Sequence, residues 1–309
     1  MSFASQAREE IARRSLQKDC CVRAAAYGVA CFAKYFDARG LVLQTEQALT
    51  AQAAQQLFAR CGVQGEISEK PRPSGVVYEF GIRATEQVRQ MHELFGTTGT
   101  ETSLQIDPRL IRCQMCVSAY IGAAFLCSGT VTDPKKEYNL EFLTGRTNLA
   151  KDFEALLAEH EFAPHRTRRN GVNLIYVKTG TNVAHLLAFL GAGEAAAQIE
   201  AQQAVKQVRN QINRHINCDT ANLSKTAHAN AQTLKAIRFL QAENALESLP
   251  APLQEAAAKR MEYPDLSLTA LCACFDPPMS KSGLSHRMKK LEALADTLRQ
   301  RIEQERSGQ

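Results

Sequence analysis

One order of elements occurs twice in the first two hundred residues, and it constrains the fold more than any other feature of the sequence. A small-residue helix from Asp19 to about Phe36 is followed by a strand at Leu41–Gln44 and a helix at Thr50–Cys61. Strands at Gln64–Ser68 and Val76–Ile82 come next, on either side of the breaker run KPRPSG, and then a helix at Thr85–Phe95. The pattern returns as a small-residue helix at Ile111–Leu126, a strand near Tyr138–Leu143 and a helix at Leu149–His160. Strands at Ala163–Arg168 and Val172–Lys178 and a helix at Val183–Leu190 complete it. Cys21-Val22-Arg23-Ala24 and Cys116-Val117-Ser118-Ala119 lie 95 residues apart and support this register. A chain built in this way is expected to form a pseudo-symmetric pair of α/β repeats. Gly28, Ala26 and Ala30 on one repeat-opening helix, and Gly122, Ala123 and Ala124 on the other, would let the two backbones approach closely.

After Ala192 the composition shifts to helix formers. A long helix is expected over Glu194–Ile216, running into RNQINRHINCDTANLSKT. The five Asn in or near that stretch read as a polar hinge or packing feature rather than as direct contacts. Between Val205 and Gln241 there are six Lys or Arg against one acid, Asp219. Clustered positive charge favours phosphate contact by counterion release. Helices at Ala227–Gln241 and Leu253–Arg260 then lead to YPDLSLTALCACFDPPMSKSGLSHRMKKLEALADTL, at 263–298.

That last segment reads as a helix, a break at Asp276-Pro277-Pro278 and a longer helix. Asp265 or Ser267 would cap the first helix, and Ser280 or Ser282 the second. Leu284, Met288, Leu291, Ala295, Leu298 and Ile302 form one apolar face. The remaining positions, Ser280, Lys281, Ser282, Ser285, His286, Arg287, Lys289 and Lys290, crowd cations into the first turns, where the helix dipole disfavours them. A phosphate backbone rewards that layout, and a helix-turn-helix recognition helix has it. A solvated basic face fits the same segment, and the segment alone leaves both readings open.

The 309 residues and 45% hydrophobic content supply ample core, and no apolar run approaches the length of a membrane span. The first residues, MSFASQAREEIARRSLQKD, are charged and lack an apolar signal core, so a cytoplasmic location is expected. The ten cysteines are expected to be reduced. Cys113 and Cys116 have CxxC spacing, but no second pair stands at zinc-ribbon spacing, so they read as a structural thiol pair. No metal and no cofactor are expected. No P-loop or Rossmann glycine spacing, no GxSxG elbow and no HxxxH pair is present.

Four stretches carry a resemblance: Cys20-Cys21, AAFLCSGTVTDPKKEYNLEF at 123–142, RNQINRHINCDTANLSKT at 209–226 and MSKSGLSHRMKKLEALA at 279–295. With them the chain resembles the WhiA family over nearly its whole length. The resemblance implies an α+β fold. A duplicated LAGLIDADG-like α/β domain of two pseudo-symmetric repeats would be followed by an all-α helix-turn-helix domain similar to sigma factor region 4. The expected boundaries are 1–100 and 101–200 for the repeats, 201–226 for a basic helical linker and 227–309 for the helix-turn-helix domain.

It further implies a bacterial transcription regulator tied to sporulation, cell division or chromosome segregation. Its partner would be double-stranded DNA at promoters, with another transcription factor as a further partner and no membrane. Ser280, Lys281, Ser282, Ser285, His286, Arg287 and Lys289 would reach bases, while Lys290, Arg209, Arg214 and Lys225 would touch phosphates. The alternatives are a nucleoid-associated or protein-docking scaffold and a metal-dependent endonuclease. A LAGLIDADG nuclease needs an acid at the C-terminal end of each paired helix to hold divalent metal. The motif register puts Ser128 and Ala33 there, and neither is a hard-metal carboxylate. Asp37 and Asp133 are the nearest acids and the nuclease reading's only route, though Asp133 before Pro134 is more naturally a turn former. The run His165-Arg166-Thr167-Arg168-Arg169 and Lys178 would supply a second phosphate patch or a solvated strand end.

Overall fold

A computed structural model describes residues 2–73 and 75–307. Gly308 and Gln309 lie outside the described residues. The chain divides into two compact units, Met1–Gln207 and Val208–Gln309.

The first unit opens with α1 (Phe3–Ala12), started by Ser2, whose hydroxyl accepts the Ser5 N–H at 3.1 Å. The first repeat is α2 (Asp19–Phe32), β1 (Tyr35–Asp37), β2 (Gly40–Thr45), α3 (Ala48–Arg60), β3 (Glu66–Arg72), β4 (Gly75–Ile82) and α4 (Thr85–Phe95). The second is α5 (Gln114–Ser128), β5 (Gly129–Val131), β6 (Asn139–Thr144), α6 (Thr147–Glu159), β7 (His165–Arg169), β8 (Val172–Lys178) and α7 (Gly180–Leu190). Each repeat builds a four-stranded antiparallel sheet, and the strand orders correspond: β1-β2-β4-β3 and β5-β6-β8-β7. Period-2 patterning fixes which face is inside. Leu41 opposes Ile82 and Leu43 opposes Phe80 in one sheet, and Leu140 opposes Val177 and Phe142 opposes Ile175 in the other. All eight are buried.

Two strands escaped the sequence reading. α2 ends at Phe32, four residues early, because Ala33 turns extended and Tyr35–Asp37 pairs with β2. β5 likewise follows α5 directly. Three residues are too few to show a period. The KPRPSG run is mostly strand, since β3 continues through Lys70, Pro71 and Arg72. Pro71 is tolerated there because β3 lies at the edge of its sheet, where a missing N–H can face solvent.

The paired helices α2 and α5 form the centre of this unit, but not symmetrically. A Cβ on Gly28 would lie 2.5 Å from the Tyr120 carbonyl oxygen and 3.0 Å from the Ala123 Cβ, so this glycine sets the close approach. Gly122 faces elsewhere: its Cβ would meet Ile11 at 3.4 Å and the Leu190 carbonyl at 3.7 Å. The Gly-Thr-rich connection between repeats is pinned at its later end. Tyr27 donates to the Gln105 carbonyl at 2.9 Å and accepts the Asp107 N–H at 3.0 Å, and Asp152 accepts the Ile106 N–H at 3.0 Å.

The helix α8 (Gly193–Ala242) runs unbroken for 50 residues and crosses the boundary between the units. The helix does not break at its asparagines, and one of them, Asn230, has the packing role expected, donating to the Leu266 carbonyl. From Glu194 to Leu249 the chain has no Gly and no Pro, and an interior Asn costs well under about 1 kcal/mol, too little to break a helix. In the second unit α8 packs with α9 (Ala251–Glu262), α10 (Leu268–Cys272) and α11 (Lys281–Ser307). Ile237, Leu240, Leu253, Leu271, Leu284, Met288, Leu291 and Ala295 make its core, which places the expected apolar face of α11 inside. Asn230 and the buried Arg260 both donate to the Leu266 carbonyl, at 3.1 and 2.7 Å, and fix the approach to α10. Ser267 caps α10 by accepting the Ala270 N–H at 3.2 Å. Among the described residues no helix is long and apolar enough to cross a membrane.

Candidate nucleic-acid interface

The start of α11 follows from its core contacts. Leu284, Met288 and Leu291 point inward, so Lys281, Ser282, His286, Lys289 and Lys290 emerge exposed, and Ser285 and Arg287 are half-buried. Ser280 is exposed and acts as the cap, its hydroxyl accepting the Gly283 N–H at 3.2 Å. Lys281, Ser285 and Lys289 stand one helical turn apart in succession. With Lys225 of α8 they line a cavity of about 370 Å³, to which Ser267 and Thr269 also contribute. Three lysines and several hydroxyls thus converge on one groove, whose lining also includes Arg260 and one acid, Glu292. Arg287 departs from this set: it donates to the Pro252 carbonyl at 3.3 Å and pairs with Glu255 at 3.6 Å, on α9. Arg209 and Arg214 lie on the exposed middle of α8.

The far ends of α2 and α5 are arranged differently. Ala33 follows α2 and is buried, and Ser128 donates to the Ala124 carbonyl at 3.2 Å within α5. Each of the two alternative acids is engaged in its own loop. Asp37 accepts from Arg39, through the backbone N–H at 2.9 Å and the guanidinium at 3.0 and 2.7 Å, and the side-chain bond above all holds its carboxyl below the ordinary value. Asp133 accepts the Lys135 N–H at 2.9 Å, as a turn former does. Arginines occupy the helix ends themselves. Arg146 donates to the carbonyls of Cys31 and Ala33, the latter at 3.2 Å, and Arg8 donates to the Gly129 carbonyl at 2.6 Å. A guanidinium satisfies orphan carbonyls and suits the negative end of the helix dipole. It also repels a divalent cation.

The basic run on β7 is exposed throughout; Arg166 pairs with Glu154 at 2.6 Å, and Lys178 lies over the Tyr176 ring. This strand end has cations to offer, with one of them already paired.

The opposite, N-terminal ends of α2 and α5 hold a group that the sequence reading divided. Cys20 and Cys21 in the first turn of α2 meet Cys113 and Cys116 at the start of α5, with all four Sγ atoms within 4.8 Å of one another. Spacing along the chain shows only the CxxC pair. The signal that pointed to the rest was the 95-residue offset, which sets Cys21 opposite Cys116. Burial and the neighbouring thiols push Cys21 up to about 12, whereas the Cys116 N–H holds Cys113 down to about 7.

The family model for the WhiA C-terminal HTH domain matches residues 212–295, and that for the WhiA LAGLIDADG-like domain matches residues 117–209. The chain is 38% identical over 236 residues to a probable cell division protein WhiA of Clostridium botulinum, covering 76% of this chain and 72% of that one. It is 33% identical over 307 residues to the protein of the same name from Heliobacterium modesticaldum, covering 96% of each. The crystal structure of full-length DUF199/WhiA from Thermatoga maritima shares the fold, with a TM-score of 0.61, 17% identity and coverage of 96% of this chain and 99% of that one.

Proposed function

The chain belongs to the WhiA family, and on that premise we propose that it is a cytoplasmic, sequence-reading DNA-binding regulator of genes for cell division or sporulation, without nuclease activity. The observation that carries this reading is the groove where Lys225, Lys281, Ser285 and Lys289 converge at the start of α11. Lysines at its rim supply phosphate contacts, and Ser282, Ser285 and His286 supply groups that hydrogen-bond base edges. Lys290, Arg209 and Arg214 extend the phosphate contacts. Arg287, turned toward α9, reaches DNA only by giving up Glu255. Loss of nuclease chemistry is supported by Arg8 and Arg146, which bring positive charge to the helix ends where a nuclease gathers carboxylates. That relatives bear the name of a cell division protein supports the choice of regulated process.

The test is a titration against duplex from upstream of the chain's own gene, beside a scrambled duplex, at two salt concentrations, with and without Mg²⁺. The DNA is then run on a denaturing gel. The expected result is tighter binding to the upstream duplex with both strands intact. Lys289→Ala should weaken binding to both duplexes and lower the salt slope by about one. Strands cut only with Mg²⁺ would overturn the non-enzymatic reading. Equal binding to both duplexes would replace sequence reading with a nucleoid-packing or docking role.

A further inference from the structure

We propose that Cys20, Cys21, Cys113 and Cys116 bind one zinc-class metal ion as a tetrahedral tetrathiolate site joining the N-terminal ends of α2 and α5. The Sγ separations are 4.0 Å for Cys20–Cys21, 4.0 Å for Cys21–Cys113, 3.9 Å for Cys21–Cys116 and 3.4 Å for Cys113–Cys116. No pair exceeds 4.8 Å. Four sulfurs about 2.3 Å from a central zinc stand roughly 3.8 Å apart along each edge of the tetrahedron. The thiols therefore already outline that tetrahedron, and side-chain rotation closes the longer edges.

The dimensions also select the occupant. An iron–sulfur cluster divides its four cysteines among two or more irons and so spreads their sulfurs farther than this. Four thiolates are soft ligands, which favours zinc and disfavours magnesium or calcium. The site is thus unrelated to the vanished nuclease metals. It lies at the other end of the same two helices, about 20 Å away for helices of this length.

The surroundings fit an anionic centre. Four thiolates around a divalent ion leave two negative charges, each thiol having released its proton to solvent on binding. The backbone N–H groups of Met115 and Cys116 are directed at Cys113. Arg14 lies close enough to Cys21 to interact with its charge, and donates to Ser118 at 2.6 Å. Cys21 and Cys116 are buried while Cys20 and Cys113 are half-exposed, so an ion has a way in. Each repeat contributes two ligands, so the ion cross-links the two copies.

The experiment uses the full-length protein, purified under reducing conditions without chelator from zinc-supplemented cells. Elemental analysis should find about one zinc per chain, released as a mercurial reagent consumes the thiols. Cobalt added to the metal-free protein should give the intense thiolate-to-metal charge-transfer absorption and the visible bands of tetrahedral cobalt. Cys113→Ser and Cys20→Ser should weaken cobalt binding by about a hundredfold or more, and exposed Cys218→Ser should leave it unchanged. Should the cysteine variants fail to fold, the wild-type cobalt spectrum decides. No thiolate charge-transfer band when cobalt is added to the reduced, metal-free protein, or a Cys113–Cys116 disulfide in freshly lysed cells, would overturn the site.

Discussion

Arg146, the residue just before α6 in the second repeat, donates to the Ala33 carbonyl at 3.2 Å and so closes the end of α2 in the first. Its guanidinium also reaches the Cys31 carbonyl. One side chain thus joins the two repeats, satisfies carbonyls that α2 leaves unpaired, and sets positive charge beside Asp37.

Arg146→Ala should lower the unfolding free energy by about 1.5–3 kcal/mol, because it strands hydrogen-bonded carbonyls in a largely buried place. Urea unfolding of the two proteins measures this. A change within about 0.5 kcal/mol would mean that water replaces the guanidinium without loss.

The two helix glycines should respond differently. Gly28→Ala drives a Cβ against the Tyr120 carbonyl and should destabilise by about 1–3 kcal/mol. Gly122→Ala meets Ile11 and Leu190 at ordinary distances and gains helix propensity, so its effect should stay within about 1 kcal/mol of zero. Equal losses in parallel melts would refute the assignment of the close approach to Gly28.

Leu291→Asp places a carboxylate in the core of the second unit, where Leu291 is 0% exposed. The α10–α11 pair should lose its fixed packing. Amide exchange should speed up in residues 251–298 while the β4 and β8 strands stay protected. Uniform protection throughout would contradict the packing of α11.

Glu79 is buried on β4. Burial pushes its carboxyl up, but hydrogen bonds from Lys70, Gln44 and Arg83 outweigh this and hold it down at about 2, against 4.5 ordinarily. Because the folded value is the lower one, the stabilisation is present above about 4.5 and is lost as pH falls toward about 2. Wild type should exceed Glu79→Gln in stability by about 1–3 kcal/mol at neutral pH, since the cationic partners are half-exposed and screened. The gap should narrow across that acid window; a gap independent of pH would rule out the charge as its source.

The regular helices and the longer strands could be read from periodicity, and the duplication from the order of those elements. The helix Thr85–Phe95 has the bounds its spacing predicts, and Leu284 to Ala295 form the inward face of α11 as expected. What escaped had no local signature. Tyr35–Asp37 is a strand only because Gly40–Val42 lies beside it. The continuity of α8 depends on asparagines costing less than a break. At the interface, sequence identified the cations of α11 but not that Arg287 turns to Glu255, which depends on where α9 sits. The four thiols illustrate the same limit: residues 92 or more positions apart become neighbours only once the two helices pair.

The strand orders leave β3 and β7 at the outer margins of their sheets, with unpaired backbone groups on one side. β7 carries Arg166, Arg168 and Arg169, and β3 carries Glu69, Lys70, Pro71 and Arg72, nearly all exposed. Another molecule's strand docking there would have to bring like charges together or accommodate the proline. Whatever ligand the basic run meets, it also guards against polymerisation: the residues that make these margins look like binding surfaces keep copies of the chain from adding to one another's sheets.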